Sequence, residues 1–470
     1  MKTLRGAKNS QPARAVLVGS APAIRSALVA SSNDVVGACV VGPGDAGSLP
    51  VLSRAPAWDA LTFAGVEAER ALLAEPAPAR QAAGHVLNAA ADAGLRVFLL
   101  EDGAARPMTL DDLIGRTLDA VDWERVGDLI EGRRVLITGG GGSIGGELAR
   151  RLTKLSPARL CLLDASEYNL FQISQALPSA VLALADVRDE NAVRRWFERE
   201  RPHLVFHAAA LKQVPMVEAH PCEGVLTNVV GCRNVADAAF AIGADLVFIS
   251  TDKAVNPTGA MGATKRLAGL YCRALDCETG ERGGPRSIVA RLGNVLGTAG
   301  SVLPVFAAQL AAGEPLTVTD PDVTRYFMTV SQAADFLMQA AATARSGACG
   351  RGAVLVRDMG EAIPIVELAR KLIRLEGKRP DADVPITFMG LRPGEKLHEQ
   401  LIGVDEWCEA DPAPGVMAAF AAPRSLAELR EVVDRLALLA RNGDDKAVVE
   451  MLNRAIAPVA PAEKRVAAAG

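Results

Sequence analysis

The chain has 470 residues, with 51 Lys plus Arg against 55 Asp plus Glu and a formal net charge of −4. Half of the residues are hydrophobic and 23% are charged, which excludes a disordered, fibrous or small peptide scaffold and leaves room for about two to three globular domains. Without a net basic charge nothing favours condensation on nucleic acid or on an anionic membrane, so neither is expected as a partner.

Residues 1 to 13 are polar and expected to be loose. Ala15 to Val18 and Val35 to Val41 read as buried strands, and Arg96 to Leu100 ends a third such unit after an Ala-rich helical stretch. This predicts a small α/β accessory domain over residues 1–105. The turn after its first strand, Val18-Gly-Ser-Ala-Pro-Ala-Ile24, has one glycine and an intruding proline, so no nucleotide site is expected there. Thr109 to Gly132 carries helical spacing and predicts a connector over 106–132.

From Arg134 strands alternate with helical stretches: Val135 to Thr138, Leu160 to Asp164, Val181 to Asp186, Leu204 to Ala208, Asp245 to Ser250 and Ser287 to Arg291. The fold class expected is α/β, a Rossmann-type doubly wound parallel sheet with a smaller substrate-binding portion, occupying 133–403. Ligands of such folds bind at the carboxyl ends of the strands. A helical extension is expected over 404–470, with one helix capped by Ser425 and carrying Leu426, Leu429, Val433 and Leu436 on one face. The last dozen residues are expected to fray. The eight cysteines form no C-x-x-C pair and no zinc-like spacing, so buried thiols and no metal site are expected. No apolar run approaches the ~18 residues of a membrane span, which predicts a cytoplasmic protein.

Thr138-Gly-Gly-Gly-Gly-Ser-Ile-Gly145 follows a strand and opens a helix, with Gly139, Gly142 and Gly145 spaced three apart. Missing side chains there let backbone approach a pyrophosphate, and the helix N-terminus supplies free N–H groups. Thr138, Gly139, Gly142, Ser143, Ile144 and Gly145 are therefore candidate cofactor contacts. Asp164, ending the second strand, is placed for the adenosine ribose hydroxyls. Its charge would repel a 2′-phosphate, and Ala165-Ser166 supplies no compensating cation, so NAD is expected over NADP. Asp186 is placed either to accept from the adenine amine or to cap the helix after Val187. Val187, Ala208 and Ala209 complete the expected cofactor contacts.

After the fifth strand come Thr251-Asp-Lys253 and then Met261-Gly-Ala-Thr-Lys265. A strand-end Thr, then an aromatic residue four before a Lys, is the pattern of the extended short-chain dehydrogenase/reductases, and Met261 stands where their tyrosine would be. Thr-Asp-Lys joined to Met-Gly-Ala-Thr-Lys resembles the bacterial UDP-N-acetylglucosamine 4,6-dehydratases of polysaccharide biosynthesis. His207-Ala-Ala-Ala-Leu-Lys-Gln-Val-Pro215, Thr227 to Asn234, Arg291-Leu-Gly-Asn-Val295, Asp322 to Thr329 and Leu391-Arg-Pro-Gly-Glu-Lys396 are similar to that family's motifs, in its order. The resemblance covers about 109–403, and Gln213 stands where many members carry His.

The resemblance implies an NAD-dependent 4,6-dehydration of UDP-N-acetylglucosamine to the UDP-4-keto-6-deoxy sugar. In it Asp252 protonates the departing C6 hydroxyl, Lys253 takes the C5 proton, Thr251 bonds the C4 hydroxyl and Lys265 holds the nicotinamide ribose. Met261 moves no proton, which leaves the C4 proton to Lys265, Thr251 or water. Asn294 and Arg325 are implied diphosphate contacts, and Arg392 with Glu395 a uridine clamp; Lys212 is a candidate for the sugar pocket. A homo-oligomer is expected. C5 inversion, epimerisation on the same scaffold and a non-catalytic NAD/UDP-sugar sensor remain the alternatives.

Overall fold

A computed structural model of the protein describes residues 14–30, 35–74, 80–101, 104–114, 121–280 and 283–458. The loose start and the frayed end expected from the sequence lie outside these residues. Two compact units form, and they are discontinuous in sequence: Met1–Arg116 with Val302–Asp322 and Pro364–Met389, and Thr117–Ser301 with Val323–Ile363 and Gly390–Gly470.

In the first unit, strands β1 (Ala15–Gly19), β2 (Val35–Val41), β3 (Val51–Ala55), β4 (Arg70–Leu73), β5 (Arg96–Glu101) and β6 (Ala104–Pro107) form one sheet ordered β3-β2-β1-β4-β5-β6. All neighbours are parallel except the β5–β6 pair. The helix Arg80–Asp92 covers part of it with Val86, Leu87 and Ala90, all buried. Against that helix packs Ile365–Leu375, whose Leu368, Ala369 and Ile373 are fully buried. The boundaries at 105, 132 and 403 follow chain order, and the compact units do not. Apolar surface decides the partition, since the amphipathic helix Ile365–Leu375 buries its stripe on the first unit although it lies within 133–403 in sequence.

The second unit is a nine-stranded sheet of β7 (Arg134–Thr138), β8 (Arg159–Asp164), β9 (Val181–Leu184), β10 (Leu204–His207), β11 (Asp245–Thr251), β12 (Ser287–Leu292), β13 (Val354–Arg357), β14 (Glu406–Ala413) and β15 (Val416–Ala421). Its order is β14-β15-β13-β12-β11-β10-β7-β8-β9, parallel from β9 to β13 and antiparallel at β15 and β14. Strand residues alternate between two cores. Leu136, Leu163, Val205, Phe248 and Val289 face the helices Gly231–Ala241, Ala260–Gly280 and Leu426–Arg441, while Ile137, Leu162, Phe206, Ile249 and Ile288 face Ser143–Leu152 and Val330–Arg345. The segment 404–470 is thus more than a helical extension. It closes the sheet with two strands, and the helix capped by Ser425 buries Leu426, Leu429, Val433 and Leu436 in the first of these cores. No described helix is long and apolar enough to cross a membrane. The thiols are not all buried, because Cys408 on the edge strand β14 is exposed and Cys277 half-buried.

Candidate active site

The strand order reverses between β7 and β10, where two crossovers leave in opposite directions and open a crevice at the strands' carboxyl ends. The Ala208 N–H donates to the Thr138 carbonyl at 3.0 Å and brings the two strand ends together. Gly139 sits there at φ +66°, and a Cβ on it would come within 2.7 Å of the Ala209 nitrogen. A Cβ on Gly145 would lie 2.2 Å from the Gly139 carbonyl oxygen, so the turn closes only without side chains. Gly142 precedes the helix Ser143–Leu152 with no side-chain cap, which leaves its first N–H groups for an anion. The cradle that a Cβ would fill fits a dinucleotide pyrophosphate.

Asp164 ends β8 beside this turn. Its Oδ2 accepts from the Gly141 N–H at 3.0 Å and its Oδ1 from the Ser166 N–H at 2.9 Å, and among the described residues no cation pairs with it. Asp186 does not cap the following helix. Asp189 does, accepting from the Ala192 N–H, because it stands at the position immediately before the helix Glu190–Glu200. Asp186 instead folds back on the Arg188 N–H and pairs with its guanidinium at 3.0 Å. Val187 is buried, Ala208 and Ala209 are half-buried, and Ile144 packs against the second core while Ser143 is exposed.

Lys265 lies deep in the helix Ala260–Gly280. Its Nζ stands 4.3 Å from the centroid of the Phe248 ring, and burial pulls the ammonium down to about 8. His207, at the end of β10, accepts from or donates to Thr138 Oγ1 at 2.6 Å and leaves Nε2 without a partner. Burial, with the Lys265 charge second, lowers it to about 3 and keeps the imidazole neutral.

The turn after β11 carries the reactive groups. Thr251 Oγ1 donates to Asp252 Oδ1 at 2.9 Å, and Lys253 Nζ donates to the same oxygen at 3.0 Å and to Asn294 Oδ1 at 2.7 Å. Asp252 is fully buried and its Oδ2 has no partner. The helix bearing Lys265 approaches this turn so closely that a Cβ on Gly262 would lie 2.2 Å from the Lys253 carbonyl oxygen. Met261 is 2% exposed and packs with Val214, Val217 and Ala260; its N–H donates to Glu218 Oε1 at 3.1 Å. With Lys253, Gly394, Lys396 and Glu399 it lines one small recess.

Asn294 Oδ1 accepts from Lys253 Nζ at 2.7 Å. Arg325 is buried, and its guanidinium bonds Glu395 at 2.8 Å and the carbonyls of Thr324 and Leu397, so it braces the 395–397 segment. Glu395 therefore faces Arg325; its Oε2 also accepts from the Arg392 backbone N–H at 3.3 Å, and its own N–H donates to the Arg392 carbonyl at 3.0 Å. The Arg392 side chain is exposed, as is Lys212. Glu399 escaped the sequence reading, although it follows the Leu391 to Lys396 motif by three residues. Among the described residues no cluster of three or more His, Cys, Asp or Glu could hold a metal.

Residues 135–420 match the family model described as polysaccharide biosynthesis protein, and the chain belongs to that family. The capsular polysaccharide biosynthesis protein CapD of Staphylococcus aureus is 40% identical over 316 residues, covering 65% of this chain and 51% of that protein. The probable polysaccharide biosynthesis protein EpsC of Bacillus subtilis is 41% identical over 65% of this chain and 50% of its own length. The chain thus spans about half the length of these two relatives. Among solved structures, Pen from Bacillus thuringiensis is 28% identical with a TM-score of 0.55, covering 65% of this chain and 98% of that one.

Proposed function

We propose that the protein is an NAD-dependent 4,6-dehydratase of UDP-N-acetylglucosamine that yields the UDP-4-keto-6-deoxy sugar. The carrying observation is the Asp252–Lys253 pair, a fully buried carboxylate with a free Oδ2 bonded to an amine at the strand ends beside a dinucleotide cradle. The relatives' role in polysaccharide biosynthesis supports a nucleotide-sugar substrate, and the absence of a carboxylate-paired cation at Asp164 supports NAD over NADP. Gly139, Gly142, Gly145 and Asp164 would hold NAD, which would supply the hydride acceptor for C4 and the hydride donor for C6.

The chain's own residues handle the protons. Thr251 donates its hydroxyl hydrogen bond to Asp252 and keeps a lone pair for the C4 hydroxyl. Once C4 is a ketone the C5 hydrogen is acidic. Lys253 removes it, Asp252 protonates the C6 hydroxyl and water leaves; Lys253 then returns its proton to C5. Lys265, buried and cationic below about pH 8, holds the nicotinamide ribose and stabilises charge developing on the C4 oxygen.

Proton NMR of the product tests the reading, because a 4-keto-6-deoxy sugar carries a new methyl doublet and a C4 epimer does not. Asp252→Asn and Lys253→Met should both still oxidise bound substrate, so that near-ultraviolet absorbance of reduced nicotinamide accumulates. Steady-state turnover should fall by a factor on the order of 100 to 10,000. A C4-epimerised product with no methyl signal, or wild-type dehydration by Asp252→Asn, would overturn it.

A further inference from the structure

Glu399 is a carboxylate with almost no solvent, its side chain being 2% exposed. Oε1 stands 3.8 Å from Lys253 Nζ and 4.0 Å from Arg325 Nε, and Oε2 stands 3.6 Å from Lys396 Nζ with no hydrogen-bond partner of its own. All three cations are also engaged elsewhere, Lys253 with Asp252 at 3.0 Å and Asn294 at 2.7 Å. Arg325 is held by Glu395 and two carbonyls, and Lys396 donates to the Val255 carbonyl. Desolvating a carboxylate costs several kcal/mol, which long contacts to engaged partners repay poorly. Lys253 is different, since its charge changes when it takes a proton.

We propose that Glu399 is a positioning residue for Lys253, holding Nζ at the substrate side of the recess and stabilising the ammonium that forms there. The proposal rests on the dehydratase reading for its catalytic half. The charged groups facing Lys253 are Asp252, Glu399 and the like-charged Lys396, with the neutral Asn294; those facing Glu399 are Lys253, Lys396 and Arg325, the last paired with Glu395.

The test compares Glu399→Gln and Glu399→Asp with wild type in the full chain. Competitive acetylation of Lys253 across pH, read by peptide mass spectrometry, follows this one amine without turnover. Its half-labelling pH should drop in the Gln variant, and by less in the Asp variant, which keeps the charge at a greater distance. With UDP-N-acetylglucosamine, the acid limb of the kcat profile should move down in step. The plateau should fall by about 10- to 100-fold, with KM changed much less. An unmoved Lys253 titration in both variants, or a raised KM with an unmoved profile, would show a merely structural carboxylate. If wild type gave no 4-keto-6-deoxy product, the functional reading would fail while the labelling shift still judged the Glu399–Lys253 coupling.

Discussion

Replacing Lys265 by methionine should make the nucleotide-free protein more stable and inactive. Lys265 is buried, its Nζ stands 4.3 Å from the centroid of the Phe248 ring, and burial lowers its ammonium from 10.5 to about 8. That displacement corresponds to roughly 3 kcal/mol of penalty at 1.36 kcal/mol per unit. The ring attraction returns up to about 2 kcal/mol, so the net gain on removal is about 1 to 3 kcal/mol. The sign follows from the folded value lying below the unfolded one: the penalty is complete below about pH 8 and lifts as pH rises from there towards 10.5. Thermal unfolding at about pH 7 should place Lys265→Met a few degrees above wild type, and the gap should shrink by about pH 10. Turnover should be lost, since Thr251 and Met261 offer no cation to the C4 oxygen. A variant that melts below wild type at neutral pH, or a gap that ignores pH, would refute the argument.

Met261→Ala should destabilise the protein by about 2 kcal/mol through the cavity left beside Val214 and Val217, yet keep turnover within about tenfold, because a thioether moves no proton. Loss as deep as that of Lys253→Met would contradict its packing role. Asp164→Ala removes the acceptor of the Gly141 and Ser166 N–H groups together with the proposed ribose contact, so calorimetry should show NAD binding weakened about tenfold or more and its advantage over NADP narrowed. Tighter NADP binding to wild type would defeat that assignment. Truncation at Arg106 should yield an aggregating fragment, because Leu368, Ala369 and Ile373 lose the helix Arg80–Asp92; a monodisperse 106–470 fragment with wild-type turnover would contradict this.

What the sequence made legible was local. Strands β7, β8 and β10 to β12 are runs of Val, Ile and Leu, and the glycine turn, Thr251 to Lys253 and Met261 to Lys265 are each contiguous, so their chemistry is written within one or two turns of chain. Strand β4 reads Arg-Ala-Leu-Leu, and β14 opens with Glu-Trp-Cys-Glu at an edge, so neither carries a buried-strand pattern. The Arg325–Glu395 pair and the Lys253–Glu399 pair join residues far apart in the chain, and no spacing announces them. Nor does a motif show that Ile365–Leu375 buries its apolar stripe on the first unit, since the stripe reads the same whichever partner covers it.

On the dehydratase reading, a proton count explains why a methionine is tolerated at position 261. The C5 proton goes to Lys253 and comes back, so it cancels over a cycle. The proton that Asp252 gives to the departing hydroxyl does not, and one must return to Asp252 before the next turnover. The C4 hydroxyl loses one proton when C4 becomes a ketone, and that is the one available to make up the difference. A tyrosine would have to pass it onward. Here Thr251 already donates to Asp252 at 2.9 Å, and Lys253 donates to the same oxygen at 3.0 Å, so both routes into Asp252 exist without a phenol. Position 261 is then free to serve packing, and its 2% exposure among Val214, Val217 and Ala260 is what a residue relieved of proton transfer would show.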